Sequence, residues 1–168
     1  MTNQKILRTL ILVCVILLKQ VSSFSQDNNS KDQTYFSFEL AGVGGLASLN
    51  FEHNVLDKEV LDIQMRYGLS YMPIDKNNGG GIIIPVLAHF LIGKGAHKLD
   101  LGAGQALTIT TKGSLFILAP LSFGYRYQPT DKNYFLRAAY TPIVSYLLDF
   151  QWQNWAGLTY GYHFNRKK

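Results

Sequence analysis

Residues 61–71 read LDIQMRYGLSY, and this stretch decides the fold. Its odd-numbered positions are all apolar or aromatic. Its even-numbered positions carry polar side chains or glycine, namely Asp62, Gln64, Arg66, Gly68 and Ser70. Successive side chains of a β-strand point to opposite faces, so this period of two predicts a strand with one apolar face and one polar face.

The same alternation recurs between residues 34 and 164, and no window in this region shows convincing helical spacing. Runs rich in turn residues interrupt it at 42–45, 57–58, 73–81, 93–95, 112–113, 129–133 and 148–154. Seven interruptions divide the region into eight strands. Each strand with its turn takes roughly sixteen residues, which is enough for a tilted strand of about nine to eleven residues that crosses a membrane. Residues 82–92 are apolar on both faces, so the pattern does not assign their phase.

Composition and charge restrict the class of protein. The chain has 168 residues, of which 47% are hydrophobic, 13% aromatic and 16% charged, so it is one ordered domain and not a disordered chain. The formal charge is +5. Removing Lys5, Arg8 and Lys19 with the N-terminal segment leaves about +2, which takes away the main support for nucleic-acid binding.

Residues 1–25 have the three parts of a secretory signal peptide. Lys5 and Arg8 form the basic start, an apolar run follows at Leu10–Leu18, and we expect cleavage after Ser25. The run is too short to span a bilayer, since a spanning helix needs about twenty residues. Cys14 is the only cysteine, so the mature chain has no disulfide, no thiol nucleophile and no thiolate metal site.

Four segments follow from these patterns. They are the signal peptide at 1–25, a polar flexible lead at 26–33, a β-barrel at 34–164 and a basic tail at 165–168.

Alternation alone fits both a soluble barrel with an apolar core and a transmembrane barrel with an apolar exterior. Three features favour the transmembrane form. Tyr and Phe concentrate near strand ends, as in the aromatic girdles of membrane barrels, and the polar face carries many small residues that suit a narrow lumen. The chain also alternates strictly at its end, over residues 157–164.

That ending, WAGLTYGYHF at 155–164, resembles the assembly signal of bacterial outer-membrane barrels, with Tyr160, Tyr162 and Phe164 as its aromatic positions. The chain is similar to a family of small eight-stranded, OmpX- or OmpW-like barrels found in Bacteroidetes. The matching segments are FELAG at 38–42, SLNFE at 48–52, HKLDLG at 97–102, GYRYQ at 124–128, LR at 136–137 and YTP at 140–142. The resemblance implies an antiparallel transmembrane barrel in the outer membrane, with membrane lipid and the barrel assembly machinery as partners and no established reaction.

With this phase, four acids and four bases face the interior. They are Glu39, Glu52, Asp62, Asp100, Arg66, Lys98, Arg126 and Arg137. Eight strands enclose a lumen that side chains fill, and buried charges need partners, so we expect a paired structural network. The alternative is a polar pathway for ions or small solutes.

The pattern assigns no catalytic, cofactor-binding or metal-binding residue. The histidines His53, His89, His97 and His163 show no metal-ligand spacing. An enzyme that modifies membrane lipid could use Ser122 or Ser145 with His89 and Asp149, although no spacing places these residues together. The leading prediction is a non-enzymatic outer-membrane barrel. The alternatives are that enzyme and a secreted, lipocalin-like barrel that binds a small apolar ligand.

Overall fold

A computed structural model describes residues 33–76, 79–145 and 151–164. They form ten antiparallel strand segments. The segments are β1 (Thr34–Ala41), β2 (Ala47–Asp57), β3 (Leu61–Asp75), β4 (Gly79–Ile92), β5 (His97–Thr110), β6 (Leu115–Tyr127), β7 (Tyr134–Tyr140), β8 (Ile143–Ser145), β9 (Gln151–Gln153) and β10 (Ala156–His163). No helix in these described ranges is long and apolar enough to cross a membrane.

The segments make a closed barrel of eight strands, which confirms the predicted fold class. Consecutive segments from β1 to β7 pair with each other, β7 pairs with β10, and β10 pairs with β1 to close the ring. The segment β8 continues β7 along β6, and β9 continues β10 along β8, in unchanged register. The interruption after β7 falls at Pro142, which has no backbone N–H to donate.

The strand connections agree with the predicted turns, with two differences. The break predicted at 148–154 contains the strand segment β9 (Gln151–Gln153). The break predicted at 73–81 is shorter in the structure, because β3 runs to Asp75 and β4 starts at Gly79. The β1–β2 turn is closed by a hydrogen bond from the Ala41 N–H to the Leu46 carbonyl at 2.8 Å. Gly42 and Gly45 in this turn have φ of 88° and 84°, which favours glycine. The signal peptide at 1–25, residues 26–32 of the lead and the tail at 165–168 lie outside the described ranges.

Polarity is inverted relative to a soluble protein. Inward positions hold buried polar side chains such as Glu39, Asn50 and Arg66, while outward positions such as Leu69 and Leu158 are exposed. Along β3 the polar set found in the sequence faces inward, and the apolar set faces outward. An unpaired backbone group is costly in lipid, and the closed ring pairs the strand edges with each other.

The structure also sets the phase of 82–92. Ile83, Leu87 and His89 are buried in the lumen, whereas Ile82 and Phe90 are exposed on the outer surface. Val43, Ala106 and Ile143 are buried as well. The lumen therefore contains an aliphatic part beside its charged part.

Candidate functional site

The candidate site is the charged cluster inside the barrel. Strand alternation turns all eight predicted charged residues inward. Seven of them are buried, and Lys98 is partly exposed.

Glu39 is the centre of the cluster. Its carboxylate accepts hydrogen bonds from Arg66 Nη2 at 2.6 Å and from Arg137 Nη2 at 3.2 Å. Thr159 and Ser48 donate their hydroxyls to the same carboxylate, each at 3.3 Å. Four donors from different strands thus converge on this buried carboxylate. Their hydrogen bonds replace the hydrogen bonds with water that the carboxylate loses on burial.

Glu52 forms the second centre. Arg126 Nη1 donates to Glu52 Oε2 at 2.7 Å, and the Ser37 hydroxyl donates to Oε1 at 3.0 Å. Arg66 and Arg137 also lie within 4.0 Å and 3.9 Å of this carboxylate. The two glutamates and three arginines consequently form one connected network across the lumen.

Two further acids, Asp100 and Asp62, complete the cluster. The Asp100 carboxylate lies 2.5 Å from His89 Nδ1 and 3.5 Å from Arg137 Nη1. Lys98 pairs with Asp62 at a less buried position. His89 was not among the predicted network residues.

Aromatic side chains also pack against the Arg126 guanidinium. The Arg126 guanidinium lies 3.4 Å from the Phe135 ring centroid and 5.2 Å from that of Tyr35, a cation–π arrangement. Arg126 Nε donates to Gln128 Oε1 at 3.0 Å, and Gln128 donates to the Tyr35 hydroxyl at 2.7 Å. Tyr35 and Phe135 were not among the residues predicted from the sequence. Their positions could have identified them, because Tyr35 lies on the same face of β1 as Glu39, and Phe135 lies on the same face of β7 as Arg137.

Glycines beside the cluster leave room for these side chains. A Cβ on Gly161 would lie 2.0 Å from Phe135 Cε1, and one on Gly42 would lie 2.8 Å from Glu39 Cδ. Neither contact is possible without displacement, so glycine at these positions is part of the way the cluster is packed.

The structure corrects the set of catalytic residues predicted for the alternative, lipid-modifying enzyme. Ser122 and His89 do lie together, because both flank Gly102 on neighbouring strands, and a Cβ there would be 2.8 Å from His89 Cε1 and 3.0 Å from Ser122 Cβ. The acid beside His89 is Asp100, while Asp149 lies outside the described ranges. Ser122, His89 and Asp100 are all at most 1% exposed. A lipid outside the barrel cannot reach them.

Within the described ranges, no group of three or more His, Cys, Asp or Glu side chains is arranged to hold a metal ion.

The final strand presents its aromatics outward. Tyr160, Tyr162 and Phe164 are all exposed. Tyr160 stacks on Tyr134 with ring centroids 6.1 Å apart, and Tyr162 meets Phe164 edge-on at 5.7 Å. These side chains form an aromatic band at one end of β10.

The fold is similar to that of two solved outer-membrane proteins. The N-terminal β-barrel domain of Pseudomonas aeruginosa OprF aligns with a TM-score of 0.55 and 17% identity, covering 79% of this chain and 98% of that domain. The outer-membrane protein Ail of Yersinia pestis, solved in a phospholipid bilayer nanodisc, aligns with a TM-score of 0.54 and 15% identity, covering 80% and 100%. No protein-family model and no curated protein sequence matches the chain. The chain thus has the fold of small outer-membrane barrels, and its membership of a Bacteroidetes family stays a prediction.

Proposed function

We propose that this protein is a non-enzymatic, integral β-barrel of the bacterial outer membrane that acts as a structural or partner-contacting element. One observation carries the proposal, namely the inversion of polarity. Glu39, Arg66 and Arg126 are 0% exposed, while Leu69 and Leu158 are 57% and 64% exposed. Water would favour the opposite arrangement, and a hydrocarbon solvent favours this one.

The same observation argues against a lipocalin-like carrier. A carrier of apolar ligands needs an apolar cavity inside the barrel. Here the lumen holds paired charges, with Arg66, Glu52 and Arg137 connected across it. We infer that the charged network is structural and that it fills the interior together with buried aliphatic side chains such as Ile83 and Leu87.

Export, orientation and insertion belong to the same proposal. Both ends of the barrel lie on one side, where the Phe164 N–H donates to the Thr34 carbonyl at 3.2 Å. We place that side in the periplasm, where the barrel assembly machinery would bind the final strand and its aromatics Tyr160, Tyr162 and Phe164. The signal peptide at 1–25 would direct export before this step.

Fractionation tests the location. We expect the expressed protein to stay with the outer-membrane fraction after washing with carbonate or urea. Release into the soluble fraction would contradict the proposal and favour the soluble barrel.

A matched pair of substitutions tests the lipid contact. Leu69 lies in the middle of β3 and Leu46 in the β1–β2 turn, with similar exposures of 57% and 53%. Arginine facing the bilayer midplane costs about 2 to 4 kcal/mol, whereas near the interface it costs about 0 to 1. We therefore expect Leu69→Arg to reduce the free energy of unfolding in vesicles far more than Leu46→Arg does. Equal, small effects would indicate that water surrounds both side chains.

A further inference from the structure

Three polar side chains form a row inside the barrel, and each has a polar atom without a hydrogen-bond partner among the described residues. The polar row consists of His89, Ser122 and Thr141, and the three atoms are His89 Nε2, Ser122 Oγ and Thr141 Oγ1. All three residues are at most 1% exposed. An unpaired polar atom in a protein interior is destabilising and rare, so three such atoms in one row indicate a shared partner.

Strand register brings the first two members of the polar row together. Gly102 on β5 lies opposite His89 on β4 and opposite Ser122 on β6. A Cβ on Gly102 would lie 2.8 Å from His89 Cε1, the atom bonded to Nε2, and 3.0 Å from Ser122 Cβ. The imidazole and the hydroxyl-bearing side chain therefore border the same space above the glycine.

The third member, Thr141, lies next to Ser122. The register that pairs Phe123 with Tyr140 places Ser122 opposite Thr141, one residue further along β6. Residues directly opposite each other on paired strands have Cβ atoms about 4.5 to 5.5 Å apart. Both side chains point into the lumen, so their hydroxyls face the same space as the His89 ring.

None of these three atoms bonds directly to another, so a small molecule that both donates and accepts hydrogen bonds suits the space between them. The Asp100 carboxylate holds His89 Nδ1 at 2.5 Å, which fixes the orientation of the ring. Nε2 accepts a hydrogen bond when the imidazole is neutral and donates one when it is protonated. Water fits either state, whereas an anion fits only the protonated ring.

The polar row lies at the border between the aliphatic and the charged parts of the lumen. On the side of the β1–β2 turn, its next inward neighbours are Leu87, Pro120 and Ile143, which are all buried. On the other side lie Asp100 and Arg137. A buried water needs two to four polar partners, and the polar row supplies three.

We propose that the polar row binds a buried water molecule, which bonds to His89 Nε2 and to the hydroxyls of Ser122 and Thr141. This water holds the His89 ring against Asp100 and completes the charged network at its aliphatic border. The inference concerns the lumen alone and does not depend on the proposed membrane location.

A matched pair of substitutions tests the inference, because Thr108 is a second buried threonine whose hydroxyl has no partner among the described residues. The register partners of Thr108 are Ile83 and Phe116, so it lies in apolar surroundings. Replacing threonine with valine keeps the shape of the side chain and removes the hydroxyl. We expect Thr141→Val to lower the urea midpoint of unfolding, because a bond to the water is lost. Thr108→Val should leave the midpoint unchanged or raise it, because an unpaired buried hydroxyl is removed. A midpoint that stays or rises in Thr141→Val would overturn the inference, as would an equal loss in both variants.

A crystal structure of the wild-type protein provides a second measurement that does not require a variant to fold. We expect a solvent peak within hydrogen-bond distance of His89 Nε2, Ser122 Oγ and Thr141 Oγ1. Crystals of Ser122→Ala should show this peak weakened or shifted. A well-ordered lumen with no peak at this position would overturn the inference. An anomalous signal there after soaking in bromide would identify an anion and overturn the choice of water.

Discussion

Replacing Arg126 with leucine is the most direct test of the interior network. Arg126 donates to Glu52 at 2.7 Å, to Gln64 at 3.0 Å and to Gln128 at 3.0 Å, and its guanidinium lies over Phe135. Removing one partner of a buried ion pair costs about 3 to 5 kcal/mol, because the other charge stays buried. We expect the lower end, about 3 kcal/mol, since Arg66 and Arg137 remain within 4.0 Å and 3.9 Å of Glu52.

The assay is urea-induced unfolding in phospholipid vesicles, followed by the fluorescence of Trp152 and Trp155. Lys76→Leu is the control, since Lys76 is exposed in the β3–β4 connection and its side chain forms no ion pair with any described residue. Combining Arg126→Leu with Glu52→Gln should recover part of the lost stability, because the second change removes the unpaired anion. Equal effects of Arg126→Leu and Lys76→Leu would place Arg126 outside any buried network.

Three further predictions follow from the packing of the barrel. Phe164→Ala should lower the amount of membrane-inserted protein while leaving export intact, and unchanged insertion would count against an assembly role. Gly161→Val should displace the Phe135 ring and lower the urea midpoint of unfolding, whereas Ala138→Val on the outer face of β7 should not; equal midpoints would show that the lumen has spare room there. Purified protein in planar bilayers should show no steady, sizeable conductance. A reproducible porin-sized open state, lost when Arg66 or Glu52 is replaced, would indicate transport.

The strand pattern could be predicted because alternation and turn chemistry are local properties. Residues 61–71 fixed both the strand type and the polar face, and the structure turns that face inward. The phase of 82–92 could not be predicted, because the lumen at Ile83 and Leu87 is as apolar as the outer surface at Ile82 and Ile84. Hydropathy does not distinguish two environments that both favour aliphatic side chains.

Which charged side chains contact each other in the cluster depends on barrel closure and on the stagger of the strands. A local sequence pattern contains neither. Glu39 and Arg137 are 98 residues apart along the chain, and only the pairing of β1 with β10 and of β10 with β7 brings them together. The proximity of His89 and Ser122 could have been predicted more easily, because the register of the hairpins β4–β5 and β5–β6 places both residues opposite Gly102. Extending the register from each turn would have found it.

The order of the charges along the chain restricts how the barrel can enter a membrane. The strands β1 to β3 contribute three luminal acids and one base, whereas β5 and later strands contribute three bases and one acid. Neither half is electrically neutral by itself. Asp62 and Lys98 can pair between β3 and β5 before the barrel closes, but Glu39 reaches Arg137 only when the first and last strands meet. Inserting one half ahead of the other would carry uncompensated charge into hydrocarbon. We therefore expect the chain to cross into the bilayer as a nearly complete ring, with no stable half-inserted intermediate.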